Sequence, residues 1–148
     1  MKRAFAALTL SAAALLGGGF VVQAHAGTLA AKSHGKYQLV IQVTDDNPKV
    51  WNLALNNAFA FQRNVGNGNS QIEIVAIGAG LNMLKSESKV KDRIDQALDL
   101  NIDMAACGET MHAMKLTKDD LIGGVRVVPG GLIEIADKER AGWFYYRP

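Results

Sequence analysis

The sequence predicts an α/β domain built on a mostly parallel sheet of about five strands, with helices covering both faces. Two observations carry that expectation. Short runs of β-branched and aromatic residues alternate with stretches of helical periodicity, and Gly-, Asn- or Pro-containing joints separate them. No internal repeat or low-complexity tract interrupts the pattern after residue 36. Alternation at this spacing is the signature of right-handed βαβ units.

The elements follow in order. Residues 37–43 (YQLVIQV) form the first strand. Residues 44–48 (TDDNP) turn into a helix, where Asn47 can cap and Pro48 suits the first helical position. That helix spans about 48–65, with Trp51, Ala54, Leu55, Ala58, Phe61 and Val65 recurring at three- and four-residue steps as its core face. Gly66 ends it as a left-handed residue. Residues 71–77 (QIEIVAI) form the second strand, and Gly78-Ala79-Gly80 a tight turn. A short helical segment at 81–85 precedes a clearer helix at about 88–100, whose stripe is Val90, Ile94, Ala97 and Leu98. The third strand covers 101–106 and ends at Cys107-Gly108. A helix follows at 110–116, then a turn capped by Thr117. A fourth strand at 125–128, a helix from 131 to about 141 opened by Pro129-Gly130-Gly131, and a terminal strand at 143–146 complete the chain.

The first 26 residues stand outside this pattern. Lys2 and Arg3 precede an uncharged stretch from 4 to 22, and Ala24-His25-Ala26 supplies the small-x-small motif of a signal peptidase site. A membrane anchor is the competing reading, but Gly17-Gly18-Gly19 would break its helix. The expected organisation is a signal peptide at 1–26, a flexible lead-in at 27–36 and one domain at 37–148. The expected location is periplasmic or secreted, with no stable membrane anchor after cleavage. The remaining 122 residues are enough for a single hydrophobic core. The net charge of +2 comes from the leader: without Lys2 and Arg3, 14 basic residues face 14 acidic ones. A near-neutral domain gives no electrostatic reason to bind nucleic acid or an anionic membrane.

Cys107 is the only cysteine, so an internal disulfide is impossible. A lone cysteine in an exported protein is an intermolecular bridge, a reactive thiol or a buried small hydrophobe. Its position favours reactivity. In an open parallel sheet, ligands bind at the carboxyl ends of strands, and four loops share that edge: 44–48, 78–80, 107–110 and 129–131. Cys107 ends a strand directly before a helix, where backbone N–H groups and the helix dipole favour thiolate and lower the pKa. Gly108 leaves room for close approach, whereas the Glu109 carboxylate opposes an anion if it points inward. His112 is poorly spaced to serve Cys107 as a base. Met104, Met111 and Met114 are soft ligands that suit Cu(I), although core packing is the commoner use of such residues. No cofactor is expected: the Gly78-Ala79-Gly80 turn lacks the third glycine of a dinucleotide fingerprint, with Met83 in its place, and no phosphate-loop motif occurs.

Several segments together resemble the DsrE/DsrF-like family of small sulfur-relay proteins: "VIQVTDDNPKVWNLALNNA" (40–58), "EIVAIGAGLNML" (73–84), "MAACGETM" (104–111), "LIGGVRVVPGGLIEI" (121–135) and "GWFYYRP" (142–148). The resemblance covers about residues 37–148. It implies a three-layer α/β/α sandwich, homo- or hetero-oligomers (a homo-oligomer is expected here), and a cysteine after a mid-chain strand that carries sulfane sulfur as a persulfide. Cys107 holds that place. Gly108 and the N–H groups of Glu109 and Thr110 are then expected to stabilise the anion, with Asp45 and Gly130 in the loops that wall the pocket. Partners would be a sulfur donor and an acceptor thiol protein, or small polysulfides. The signal peptide departs from the cytoplasmic sulfur-relay members. The alternative function is a non-catalytic oligomeric binding module, in one form a Cu(I) binder using Cys107 with Met111 or Met114.

Overall fold

The computed structural model describes residues 36–148. The expected signal peptide and nearly all of the lead-in lie outside them. The elements are β1 (Tyr37–Val43), α1 (Pro48–Val65), β2 (Ser70–Ala76), α2 (Lys91–Asp99), β3 (Ile102–Cys107), α3 (Gly108–Met114), β4 (Arg126–Val128), α4 (Gly131–Arg140) and β5 (Phe144–Tyr146), with 3-10 turns at Asn67–Asn69, Gly78–Leu84 and Lys118–Asp120. The five strands form one sheet in the order β4-β3-β2-β1-β5, and every pairing is parallel.

This order decides which face each helix covers. From β1 to β4 the chain steps in one direction, and right-handed crossovers keep those connections on one face. The last crossover runs back past β3, β2 and β1 to β5, which puts α4 on the opposite face. The cores follow the pleat. Leu39, Ile41, Val43, Ile72, Ile74, Met104 and Ala106 point into the larger core with Trp51, Leu55 and Phe59 of α1 and Ile94 of α2. Val40, Val75, Ala105 and Val128 point the other way and meet Ile135 of α4. The result is a three-layer sandwich.

Most element boundaries match the sequence expectation within a few residues. Asn47 caps α1 by accepting a hydrogen bond from the Lys49 N–H at 3.0 Å, and Pro48 is its first residue. Gly66 closes α1 at φ +88°. Thr117 and Asp120 form the capping box of the 3-10 turn after α3. Phe59 is buried in α1, while Phe61 packs at the core's margin. Helix α3 begins at Gly108, two residues earlier than the periodicity predicts. The second face is also covered differently. Among the described residues α4 alone packs there, because a single crossover returns across it. The uncovered strand positions are correspondingly polar: Gln38, Gln42, Gln71 and Asp103.

A charged cluster fastens α4 to this face. Glu73, fully buried in the middle of β2, has Arg126 Nη2 2.9 Å from Oε1 and Lys138 Nζ 2.5 Å from Oε2. Arg126 also reaches Asp103 at 2.8 Å and Glu134 at 3.1 Å. Burial raises the Glu73 pKa, and Lys138 and Arg126 offset part of that rise. Burial works against the Arg126 charge, yet Asp103, Glu134 and Glu73 raise its pKa further above the usual guanidinium value. Three strands and one helix are thereby joined at the amino-terminal half of the sheet.

Gly80 marks a close backbone approach at the carboxyl end of β1. Its N–H donates to the Thr44 carbonyl at 3.0 Å, and a Cβ there would lie 2.3 Å from the Val43 carbonyl oxygen. Gly80→Ala is expected to destabilise the fold by about 1–3 kcal/mol through overpacking, seen as a lower urea midpoint with an unchanged m-value.

Candidate functional site

Cys107 is the last residue of β3. Its outgoing chain turns to the α1–α2 face through α3, whereas the chain leaving the neighbouring strand β4 turns to the opposite face through α4. The crevice between two such strands is the topological switch point, where ligands of open α/β sheets bind. The Cys107 side chain points to the α4 side, paired in register with Val128.

Cys107 is 4% exposed, and its sulfur sits among hydrogen-bond donors from two loops. The Gly131 N–H, at the start of α4, points at Sγ with a separation of 3.1 Å. The Thr110 hydroxyl and N–H and the Glu109 N–H lie near enough to lower the Cys107 pKa. The Glu109 N–H also leans toward the Pro129 carbonyl at 3.3 Å, so it is shared. The Gly78 N–H donates to Thr110 Oγ1 at 3.0 Å, which leaves the hydroxyl proton free to face sulfur. Burial on its own pushes the Cys107 thiol up; the Thr110 hydroxyl and the Gly131, Thr110 and Glu109 N–H groups outweigh it and bring the pKa below the ordinary thiol value. The arrangement favours the thiolate form of a buried cysteine.

Above the sulfur lies a cavity of about 580 Å³. Ile77, Leu132, Ile133 and Ala136 form its walls, and Glu109, Thr110, Gly130 and Gly131 its polar edge. Leu132 and Ile133 are 72% and 57% exposed, so the mouth is apolar. Two glycines bring the segments together. A Cβ on Gly131 would lie 2.6 Å from Ile77 Cγ1 and 3.1 Å from Cys107 Cβ. A Cβ on Gly108 would lie 2.9 Å from the Val128 carbonyl oxygen.

Of the residues expected from sequence, Cys107, Glu109, Thr110 and Gly130 converge here. Gly108 acts differently from the expectation: the space beside it is filled by Val128 and Pro129 of the same chain, not left for a substrate. The structure does not bring Asp45 to the cavity. Its carbonyl accepts from Trp51 Nε1 at 2.6 Å, and its carboxylate accepts from the Thr44 hydroxyl and lies 3.8 Å from Arg147. Met104 and Met111 belong to the larger core on the opposite face of the sheet, and Met114 does not line the cavity. They give no support to a thiolate–thioether metal site. Among the described residues, no group of three or more His, Cys, Asp or Glu side chains is placed to hold a metal. Sequence reasoning missed the direct donor Gly131, whose signal was the Pro129-Gly130-Gly131 joint opening α4. It also missed the apolar mouth of Leu132 and Ile133.

Comparison with known proteins agrees with this architecture. Residues 36–143 match the DsrE/DsrF-like family. The fold resembles a protein of unknown function from Methanobacterium thermoautotrophicum, MTH1491, at 27% identity and TM-score 0.73, covering 76% of this chain and 100% of that one. A conserved protein of unknown function from Bacteroides thetaiotaomicron, BT1422, aligns at 20% identity and TM-score 0.62 over 75% and 94% of the two chains. The E. coli ychN protein aligns at 14% identity and TM-score 0.62 over 78% and 100%. These last two likenesses are of fold. No curated protein matches the sequence.

Thr110→Val removes the hydroxyl donor while keeping the side chain's shape. It should raise the midpoint of the pH–alkylation profile of Cys107 and slow iodoacetamide labelling at neutral pH several-fold. In the parent, labelling falls as pH drops through the lowered folded-state pKa. The same shift stabilises the folded parent over Cys107→Ser fully above the unfolded thiol value of about 8.5, an advantage lost as pH falls through the folded-state pKa. An unchanged alkylation profile in Thr110→Val would remove Thr110 from the site.

Proposed function

The chain belongs to the DsrE/DsrF-like family, and on that premise we propose that it carries sulfane sulfur as a persulfide on Cys107. Family membership suggests sulfur relay. The observation that carries the finer reading is the Gly131 N–H aimed at a buried sulfur whose pKa is lowered despite its burial. A thiolate attacks the outer sulfur of a donor, and the donor's remainder leaves as an anion. The inner sulfur of the new persulfide stays with the Gly131 and Thr110 donors, while the outer sulfur enters the cavity. An acceptor thiolate then attacks the outer sulfur and releases Cys107 as thiolate.

Two features suit a carrier. The walls formed by Ile77, Leu132, Ile133 and Ala136 give the persulfide an apolar surrounding. With a single cysteine in the sequence, no internal thiol can discharge it as a disulfide. The proposal includes export to the periplasm or beyond, on the leader pattern, and exchange with donor and acceptor thiols there. It also includes a homo-oligomer, consistent with the exposed apolar side chains Leu132, Ile133 and Phe144. A single monomeric species in sedimentation at micromolar concentration would remove the oligomer from the proposal.

Intact mass after treatment with elemental sulfur and with inorganic polysulfide, beside Cys107→Ser, tests the central step. The expected result is a gain of whole sulfur atoms that reverses with reductant and is absent from the mutant. No adduct from either reagent, with a thiol that also resists alkylation in the folded state, would leave an assembly or binding domain whose cysteine is structural.

A further inference from the structure

The chemistry of the cavity narrows the donor. We propose that Cys107 takes its sulfur from uncharged sulfane-sulfur donors, meaning sulfur rings or organic polysulfanes, and discriminates against anionic ones such as thiosulfate, tetrathionate and inorganic polysulfide. The proposal rests on the sulfur-handling reading of the same site.

Charge is the first argument. Among the described residues, no lysine, arginine or histidine lines the cavity, and the one charged side chain at its edge besides the thiolate is Glu109. The hydrogen-bond donors close to the sulfur are committed to the thiolate itself. An anionic donor would therefore bring like charges together on a low-dielectric surface with no compensating cation, and desolvating such a group is costly. Thiosulfate beside the thiolate would gather three negative charges. With an uncharged donor the total stays at one throughout the step.

Surface character is the second argument. Ile77, Leu132, Ile133 and Ala136 offer an apolar wall, and a cavity of about 580 Å³ has the volume of an ordinary small-molecule site. Uncharged polysulfanes are apolar and gain from leaving water for such a wall. The Arg126 and Lys138 cations do not relieve the difference, because neither lines the cavity and both are engaged with Glu73 and Glu134.

The step balances without a further reagent. The Cys107 thiolate forms an S–S bond to a divalent donor sulfur, the adjacent S–S bond breaks, and its electron pair stays on the displaced sulfur. From a ring, that anion is the far end of a chain still attached to Cys107. From an organic trisulfide, attack on the central sulfur releases a thiolate and leaves the sulfane sulfur on Cys107 within an alkyl trisulfide. The Cys107 sulfur is oxidised and the displaced sulfur reduced.

The test is loss of free thiol, followed by intact mass, with elemental sulfur and dimethyl trisulfide as uncharged probes and tetrathionate and inorganic polysulfide as anionic ones. N-acetylcysteine methyl ester serves as the reference thiol. The uncharged-to-anionic rate ratio of the protein should exceed that of the reference about tenfold or more, as expected for like-charge repulsion. Leu132→Lys, at an exposed position on the mouth, should bring the ratio back toward the reference by accelerating the anionic donors. A preference confined to the ring or to the trisulfide would support the proposal and identify the source, since the two adducts differ in mass. A ratio equal to the reference, or one favouring anions, overturns the donor assignment while leaving sulfur transfer intact. No adduct on Cys107 from any probe overturns the sulfur-handling reading itself.

Discussion

Glu73 buries a carboxylate beneath α4, and the position of that helix depends on how the charge is met. A buried acid without partners would be costly, and removing one partner from such a group typically costs about 3–5 kcal/mol. Here the partners come from separate places: Arg126 from β4, and Lys138 from α4 itself. Lys138 also lies over the Trp143 ring, 4.2 Å from its centroid, which ties the end of α4 to the start of β5. The cluster favours one seating of α4 over others that would bury the same apolar stripe. Its geometry is directional where the packing of Ile135 is not.

The seating of α4 fixes the thiol's environment. The first residue of that helix is Gly131, and its N–H is the backbone donor 3.1 Å from Sγ. A small sliding of α4 along the sheet would lengthen this contact, while the donors from Thr110 and Glu109 on α3 would stay. The sulfur is thus held from two sides by elements that lie on opposite faces of the sheet. Gly108 and Gly131 allow both elements to come close, because a methyl group at either would meet backbone or the Ile77 side chain. The acidity of Cys107 is a property of this convergence more than of the helix terminus. Helix α3 is only seven residues long, and several named donors are needed to outweigh burial.

Much of the fold was legible in the sequence, for local reasons. The alternation of Leu39, Ile41 and Val43 marks β1, and Asn47-Pro48 marks the start of α1, because pleat, cap and proline φ are properties of neighbouring residues. Cys107 was legible as a candidate because a cysteine at a strand–helix joint is a local event. Glu109, Thr110 and Gly130 were legible by adjacency to the two loops. Asp45 was misplaced by the same logic: it lies in a loop on the correct edge of the sheet, but that loop follows β1, two strands away from β3. Adjacency along an edge is set by strand order, which the local pattern does not encode. The polar back face was also unread, since Gln38, Gln42 and Glu73 look like ordinary alternation until one knows that a single helix covers that side.

The sequence by itself determined the α/β class, the succession of strands and helices, the lone thiol and its place at a strand end. It did so because hydrophobic periodicity, capping and turn chemistry act over a few residues. Tertiary structure decided what that thiol meets. The return of the chain from β4 to β5 across the back of the sheet brought Gly131, 24 positions away, onto the sulfur. It also brought Leu132 and Ile133 to the mouth of the cavity and set Lys138 on Glu73. Strand order and crossover face arise from the packing of the whole chain, and they decide which distant groups share one low-dielectric space.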